Sequence, residues 1–343
     1  MSHSKENKTL KIIEKEYEKD HRPWYLGFSG GKDSSAMLKL LYIALMNTNI
    51  HKIVNVVYCD TGVEIPVIVN YVKETFSALK REVIKDKLPI KFIIVEPSVP
   101  DRFFSKVIGR GYPSPTNKFR WCTDRLRVKP IQNIVPNDKE SLILVGVRKG
   151  ESHERDRVIY RHLTKNSFFL KHSNFAKSTI FAPILDYDVG DIWSVLEKNS
   201  PPYSLSYEKL LSLYKAAGED QIDFLDHSSK ALEKGRFGCW VCTVVRRDKA
   251  MTNLVKNGYS SLKHLLEFRN WLYQIRDNQK FRCRWRRNGA KGPGPFTLEA
   301  RKMILHELMI AQEKSKIKLI SDSEIKYIMS QWLVDKNSNN YKE

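Results

Sequence analysis

Ser29-Gly30-Gly31-Lys32-Asp33-Ser34 is the densest run of chemistry-bearing residues in the chain. It falls between a short apolar run, WYLGF (24–28), and the helical periodicity of SSAMLKLLYIAL (34–45). Two glycines let a backbone turn tightly and approach a ligand closely. Amides that open a helix aim N–H groups and the positive dipole end at an anion. Ser29 and Ser34 add hydroxyl donors and Lys32 adds a charge, so the turn reads as a cradle for pyrophosphate. It is not a Walker A loop, which needs Ser or Thr after its Gly-Lys pair to hold magnesium. Asp33 stands there instead.

Two further clusters sit at strand-like ends. Asp60-Thr61-Gly62-Val63-Glu64 follows the valine-rich run KIVNVVYCD (52–60), and Gly146-Val147-Arg148 closes SLILVGVR (141–148). Strand ends of parallel sheets form the ligand crevice in α/β folds. Asp60 can accept from adenine or ribose or help hold Mg2+; the plainer alternative is an Asx-turn that ends a strand. Arg148 can clamp a phosphate bidentately, and Arg155 can do likewise. Glu151 and Glu154 read as a solvated face.

Five cysteines are present, Cys59, Cys122, Cys239, Cys242 and Cys283. Cys239 and Cys242 stand in C-x-x-C spacing, which suits metal ligation or thiol chemistry better than a structural bridge. With Cys122 they can hold an iron–sulfur cluster or zinc if a fourth ligand closes the site. The alternative is a redox pair plus a buried Cys122. Cys283 is the fourth candidate by elimination, though it belongs to no motif, and Cys59 suits a buried strand. Arg120, Arg125, Arg236, Arg246 and Arg247 flank these thiols, and such charge is expected to lower their pKa. Arg282, Arg284, Trp285, Arg286, Arg287 and Lys291 form the most basic stretch, suited to phosphate contact and base stacking. A solvated charge run is the alternative there.

The elements that must position these groups alternate strand and helix through residue 148, as a parallel α/β sheet requires. Besides the strands above, IKFIIVEP (90–97) reads as a strand and 66–85 as a helix. The stretch GRGYPSPTNKFRWCTDRLRVKP reads as loop. Beyond 148 the strand signal fades. Helical spacing appears in 188–199, 206–218, 261–277, 298–314 and near 322–333, and places Trp193, Trp271 and Trp332 in the core. The expected division is a lead-in helix (1–20), a sheet domain (21–190), a helical, basic, cysteine-containing domain (191–335) and a polar tail (336–343) expected to fray. A net charge of +20, from 59 Lys and Arg against 39 Asp and Glu, favours polyphosphate or nucleic-acid partners. No apolar run approaches the roughly 18–20 residues of a membrane helix, and the charged N-terminus is unlike a signal peptide. No membrane association and a cytoplasmic location are expected.

Taken in order, SGGKDS, CDTGVEIP, IGRGYPSPTNKFRWCTDRLRVKP, GVRKGES, PILDYDVGDIW, RFGCWVCTVVRRDKAM and RRNGAKGPGPFTLEARK span about residues 24 to 315. They resemble the DndC family, the sulfurtransferases of bacterial DNA phosphorothioation, within the PP-loop ATP pyrophosphatase superfamily. The phosphoadenylyl-sulfate reductases are wider relatives, and the SspD-type ATP pyrophosphatases of single-stranded DNA phosphorothioation are a close alternative identity. The resemblance implies a parallel, five-stranded-type, adenine nucleotide alpha hydrolase-like sheet flanked by helices, with a mostly helical C-terminal region. It implies that ATP adenylates a nonbridging oxygen of the DNA backbone and releases pyrophosphate. Sulfur delivered as persulfide by a cysteine desulfurase would then displace AMP, and other DNA phosphorothioation proteins would be partners. Ser29, Gly30, Gly31, Lys32, Asp33, Ser34, Asp60, Thr61, Gly146 and Arg148 would bind ATP and Mg2+, with Lys32, Asp33 and Arg148 catalytic. A [4Fe–4S] cluster would use Cys122, Cys239 and Cys242, with Cys283 the candidate for its fourth position. The alternatives are a PP-loop tRNA thiolation enzyme, a sulfonucleotide reductase, or a DNA-binding subunit with a switching ATP site.

Overall fold

The structure, a computed structural model, describes residues 2–151, 153–164, 168–171, 174–218 and 237–337. The chain forms two compact units that interleave in sequence. Unit 1 is Met1–Cys59, Pro66–Val95 and Ile131–Phe237, and unit 2 is Asp60–Ile65, Glu96–Pro130 and Gly238–Glu343. This differs from the expected cut at 190/191. The aromatic residues of the long connection after residue 95 bury against the C-terminal helices, so that connection belongs with them.

In unit 1, β1 (Trp24–Gly27), β2 (Val54–Cys59), β3 (Ile90–Val95), β4 (Ser141–Val145), β5 (Phe169–Leu170) and β6 (Ser178–Phe181) form one sheet, ordered β3-β2-β1-β4-β6-β5. Five strands are parallel, and only β5 runs antiparallel, against β6. The expected five-stranded parallel sheet is therefore present with one short extra strand. Its fifth parallel member, Ser-Thr-Ile-Phe, lies beyond the point where the sequence signal fades, because four residues of which two are polar show neither a period nor an apolar run. Leu26 lies in register with Val56 on one side and Leu144 on the other. These strands are apolar almost throughout because helices cover both faces. The chain runs from β1 outward to β2 and β3, then returns to place β4 on the other side of β1. That reversal opens a crevice at the carboxyl ends of β1 and β4, where α/β sheets bind ligands.

The helices are α1 (Ser2–Glu18), α2 (Lys32–Met46), α3 (Pro66–Lys85), the short α4 (Trp121–Thr123) and α5 (Lys129–Gln132), α6 (His153–His162), α7 (Val189–Glu197) and α8 (Tyr207–Ala217). Residues 121–130, the end of the stretch that reads as loop, wind through successive helical turns that continue to Gln132. Helix α2 is buried along nearly all its length, between α1, α7 and the sheet. Its buried Lys39 donates to the carbonyls of Leu196 (3.2 Å) and Lys198 (2.5 Å), at the carboxyl end of α7. A cation there meets unpaired carbonyls and the negative dipole end, which fixes α2 against α7.

Unit 2 contributes the helices Lys249–Lys256, Leu262–Ile275, Leu298–Ser315 and Asp322–Lys336. Its core includes Phe104, Trp240 and Phe268, with ring centroids 5.9–6.3 Å apart. Trp193 is buried as expected, whereas Trp271 and Trp332 are half-buried. Asp335 joins the last helix to its neighbours. It accepts from Arg301 (2.8 Å) and from both terminal nitrogens of Arg287 (3.0 and 2.9 Å). Burial pushes its carboxyl up, but the two guanidiniums outweigh that and hold it below the ordinary range. Asp335→Ala should therefore cost about 3–5 kcal/mol, since it strands the fully buried Arg301. The wild-type contribution should be full above pH ~4 and disappear as pH falls through the lowered folded pKa. Denaturant melts of both proteins across this range check it, and equal pH profiles would contradict it.

Candidate functional site

The Ser29–Ser34 turn leaves β1 and enters α2 at the reversal point of the sheet. Gly30 adopts φ +75°, and a Cβ there would lie 2.5 Å from Val72 Cγ2. Only glycine meets both conditions. Hydroxyl oxygens cap three of the turn's amides: Ser29 N–H donates to Ser34 Oγ (3.2 Å), Gly31 N–H to Ser29 Oγ (3.4 Å) and Lys32 N–H to Tyr214 Oη (3.1 Å). Gly146, just past β4, packs on the turn from the other side. A Cβ there would stand 2.7 Å from the Asp33 carbonyl oxygen and 2.9 Å from the Ser34 nitrogen.

Asp33 lies between two cations. Lys32 Nζ is 3.3 Å from Oδ2, and Arg148 Nε donates to Oδ1. Arg148 is buried and also donates to the Tyr187 carbonyl (3.3 Å). Besides the phosphate clamp expected of it, Arg148 thus has a positioning contact, its guanidinium holding Asp33. Burial pushes the Lys32 ammonium down, Asp33 opposes this and Arg148 adds to it. An incoming anion would therefore relieve an excess of buried positive charge. Arg155's side chain, Glu154's side chain, Ser152 and Arg236 lie outside the described residues. Glu151 was read as solvated face, yet its charge acts on both Lys32 and Tyr214.

Asp60 and Thr61 belong to unit 2. Asp60 accepts from its own Gly62 amide (3.0 Å), the Asx-turn weighed above, and Gly62 takes φ +74°. Thr61 Oγ1 donates to Glu64 Oε1 (3.1 Å) and lies 3.8 Å from Cys239 Sγ. Glu64 pairs by backbone bridge with Cys239, and Trp240 N–H donates to Val63 O (2.9 Å). These contacts place the Asp60–Ile65 loop beside the C-x-x-C segment.

That segment is held from below by arginines. Arg269, fully buried, donates to the carbonyls of Cys242 (2.8 Å), Arg246 (3.0 Å) and Val245, and Arg276 donates to Thr243 O (2.6 Å). The flanking arginines do not activate the thiols as expected. Arg125 pairs with Asp101 and Asp124, Arg120 with Asn117, and Arg246 and Arg247 are exposed. The cation at Cys239 is Arg127, 4.0 Å from Sγ and 3.0 Å from Glu64 Oε1. Burial pushes both Cys239 and Cys122 up. The Glu64 and Cys242 charges reinforce this at Cys239, as does Cys242 at Cys122. Desolvation thus outweighs positive charge, the reverse of the expected lowering.

Among the described residues no group of three or more His, Cys, Asp or Glu side chains closes on a single metal ion. Cys242 nonetheless acts electrostatically on both Cys122 and Cys239. Cys122, Cys239 and Cys242 are thus electrostatically coupled, and as thiols they are the donor type that an iron–sulfur cluster or zinc takes. Cys283 stands on a separate element, a buried hairpin strand whose backbone pairs with Pro295 (2.9 Å) and Gly294 (2.8 Å). For Mg2+, Asp33 is already engaged, so the turn suits an ion that arrives on the nucleotide's own phosphates.

Tyr214 and Arg269 escape sequence reading, and Glu64 and Arg127, though inside quoted motifs, carry no role there. Tyr214 lies at ordinary amphipathic spacing in α8, where an aromatic normally means core. Arg269 belongs to no local motif. Gly146 yields a test of the turn. Gly146→Ala should push the strand end off the Asp33–Ser34 peptide, cost about 1–3 kcal/mol in stability, and weaken pyrophosphate binding at least about tenfold (~1.4 kcal/mol) by calorimetry. Unaltered affinity would remove Gly146 from the site.

Residues 23–245 match the phosphoadenosine phosphosulfate reductase domain family. The uncharacterized protein MJ0066 of Methanocaldococcus jannaschii is 29% identical over 206 residues, covering 60% of this chain and 37% of that protein. MJ0973 of the same organism is 26% identical over 281 residues, covering 80% and 61%. The chain thus spans less than two thirds of either relative's length. Among solved structures, phosphoadenylyl-sulfate reductase of Candida auris aligns over 64% of this chain and 89% of its own, at 11% identity and a TM-score of 0.37. The U34-tRNA thiolase NcsA of Methanococcus maripaludis, solved with its [4Fe–4S] cluster, aligns over 79% of each chain at 15% identity and 0.37. With the family match covering most of its length, the chain belongs to the phosphoadenosine phosphosulfate reductase domain family.

Proposed function

We propose that this chain is an ATP pyrophosphatase of the PP-loop type that adenylates a DNA backbone phosphate for replacement of a nonbridging oxygen by sulfur. The observation that carries the nucleotide half is the Ser29–Ser34 turn at the sheet's reversal point, its amides capped by hydroxyls and its carboxylate flanked by Lys32 and Arg148. The Ser29 and Gly31 amides, capped by the turn's own serine hydroxyls, mark positions where a phosphate oxygen can replace a hydroxyl. An acceptor oxygen attacks the α-phosphorus, the bond to the bridging oxygen breaks, and pyrophosphate leaves with the electron pair. The turn's amides and Lys32 stabilise the charge that gathers there, an effect strongest away from water. Arg148 acts through Asp33, holding the carboxylate so that Lys32 stays aimed into the turn. Mg2+ supplies further neutralisation of the phosphates.

The DNA half rests on the sequence resemblance, the charge of +20 and one surface feature. The basic stretch forms a hairpin with bridges Arg282–Phe296 and Trp285–Lys291. Arg282 and Arg287 brace it through the Gly294 and Arg110 carbonyls. Arg284, Arg286 and Lys291 are exposed beside Trp285, which is 42% exposed. Cations around an open indole suit phosphate contact and base stacking. A cysteine desulfurase would supply the sulfur as persulfide, with other phosphorothioation proteins as partners. Cys122, Cys239 and Cys242 would hold a [4Fe–4S] cluster, which supplies an electron-transfer and sulfur-ligating centre when bound.

Lys32→Ala should abolish pyrophosphate release from ATP while the melting curve stays within a few degrees of wild type; retained release would exclude the turn. Protein isolated without oxygen should contain iron and acid-labile sulfide in equal amounts. Cys122→Ala, Cys239→Ala and Cys242→Ala should lose most of it and Cys283→Ala should keep it, whereas zinc in place of iron would contradict the cluster. DNA affinity should fall steeply with added salt. Trp285→Ala should weaken single-stranded binding by about 1–3 kcal/mol, and a flat salt response would argue against a backbone-phosphate acceptor.

A further inference from the structure

We infer that Tyr214, on α8 and remote in sequence from the turn, is a phosphate-binding residue of the nucleotide site, its hydroxyl accepting from the Lys32 amide and donating to an oxygen of the departing diphosphate. The inference deepens the reading of Ser29–Ser34 as a phosphate cradle and rests on it.

Four observations carry it. Tyr214 Oη receives the Lys32 N–H at 3.1 Å. The hydroxyl lies so close to the turn that a Cβ on Gly31 would be 3.2 Å from it. The Lys32 ammonium stands 5.2 Å over the Tyr214 ring, so phenol and ammonium face the same small volume. The side chain is 4% exposed, yet among the described residues none takes its hydroxyl proton. A buried donor without an acceptor costs free energy, and the anion expected at this turn supplies one. The same arrangement polarises the phenol: the amide N–H withdraws charge from the oxygen, which strengthens the O–H as a donor. Burial pushes the phenol's pKa up, with the Asp33 and Glu151 charges reinforcing it against the Lys32 amide, so the proton stays available throughout the physiological range.

The ring is held independently of the hydroxyl. Trp193 meets it edge-on at 5.4 Å and 88°, and Phe237 at 4.8 Å and 71°. Tyr214→Phe therefore keeps the packing and removes only the O–H. The opposite role is also conceivable for such a hydroxyl, a cap that phosphate must displace, and the two differ in sign.

Inorganic pyrophosphate and AMP should be titrated calorimetrically into the full-length wild type, Tyr214→Phe and Lys32→Ala. The inference expects Tyr214→Phe to bind pyrophosphate about tenfold more weakly, the scale of one hydrogen bond to a charged group, with AMP affinity unchanged. Pyrophosphate affinity that is unchanged or tightened in Tyr214→Phe overturns it, tightening being the mark of a displaced cap. Wild type that binds no pyrophosphate overturns the cradle itself, and with it this inference. Fluorotyrosine placed at 214 gives a second reading that does not depend on the Phe variant folding. As a stronger donor it should tighten pyrophosphate, and weaker binding would count against the donor role.

Discussion

The turn between β1 and α2 works only because backbone can approach backbone there. Gly30 bends into the left-handed region against Val72, and Gly146 lets the end of β4 press on the Asp33–Ser34 peptide. These contacts fix where the first amides of α2 point. The order of the sheet determines the rest: β1 is flanked by β2 and β4, so the turn opens at the place where the connections diverge. Helix α2 is anchored at its middle by Lys39 on the α7 carbonyls. A helix held along its whole buried length can present its amino end to an anion without first having to order it.

Charge at the turn is arranged as cation, anion, cation. Asp33 between Lys32 and Arg148 leaves one net positive charge in a buried setting. A buried, incompletely compensated cation is unfavourable without a ligand and favourable with a polyanion. The cysteine region of unit 2 shows a related logic with the opposite sign. Glu64 sits by Cys239, Arg127 offsets it in part, and burial holds the Cys239 and Cys122 thiols protonated. Metal binding to such thiols would release protons.

Much of the fold could be read from sequence. The first four strands, the glycine turn and most helices announce themselves by period and by residue type. What escaped has physical reasons. Strand β6, Ser-Thr-Ile-Phe, is short and half polar, and the 121–132 turns are helical despite a proline and several charges because Trp121 and Leu126 are buried there. The division into units follows where aromatic residues bury, which no local window reveals. Site residues were legible where the motif is local, as for Ser29 through Ser34, and less so where a long-range partner acts, as Asp33 does on Arg148 across 115 positions. The arginines around the cysteines looked activating, but their partners lie elsewhere and desolvation prevails at the thiols. Tyr214 carried no signal, because its importance depends on a backbone amide 182 positions away.

The central claim is that the amides at the head of α2 grip the diphosphate that ATP gives up. A crystal structure with a nonhydrolysable ATP analogue and Mg2+ tests it most directly. The account predicts β- and γ-phosphate oxygens within hydrogen-bonding distance of the Gly31 and Lys32 amides, in place of or beside the hydroxyls that cap them. A triphosphate bound elsewhere, with the Ser29–Ser34 turn still closed on its own hydroxyls, would contradict it.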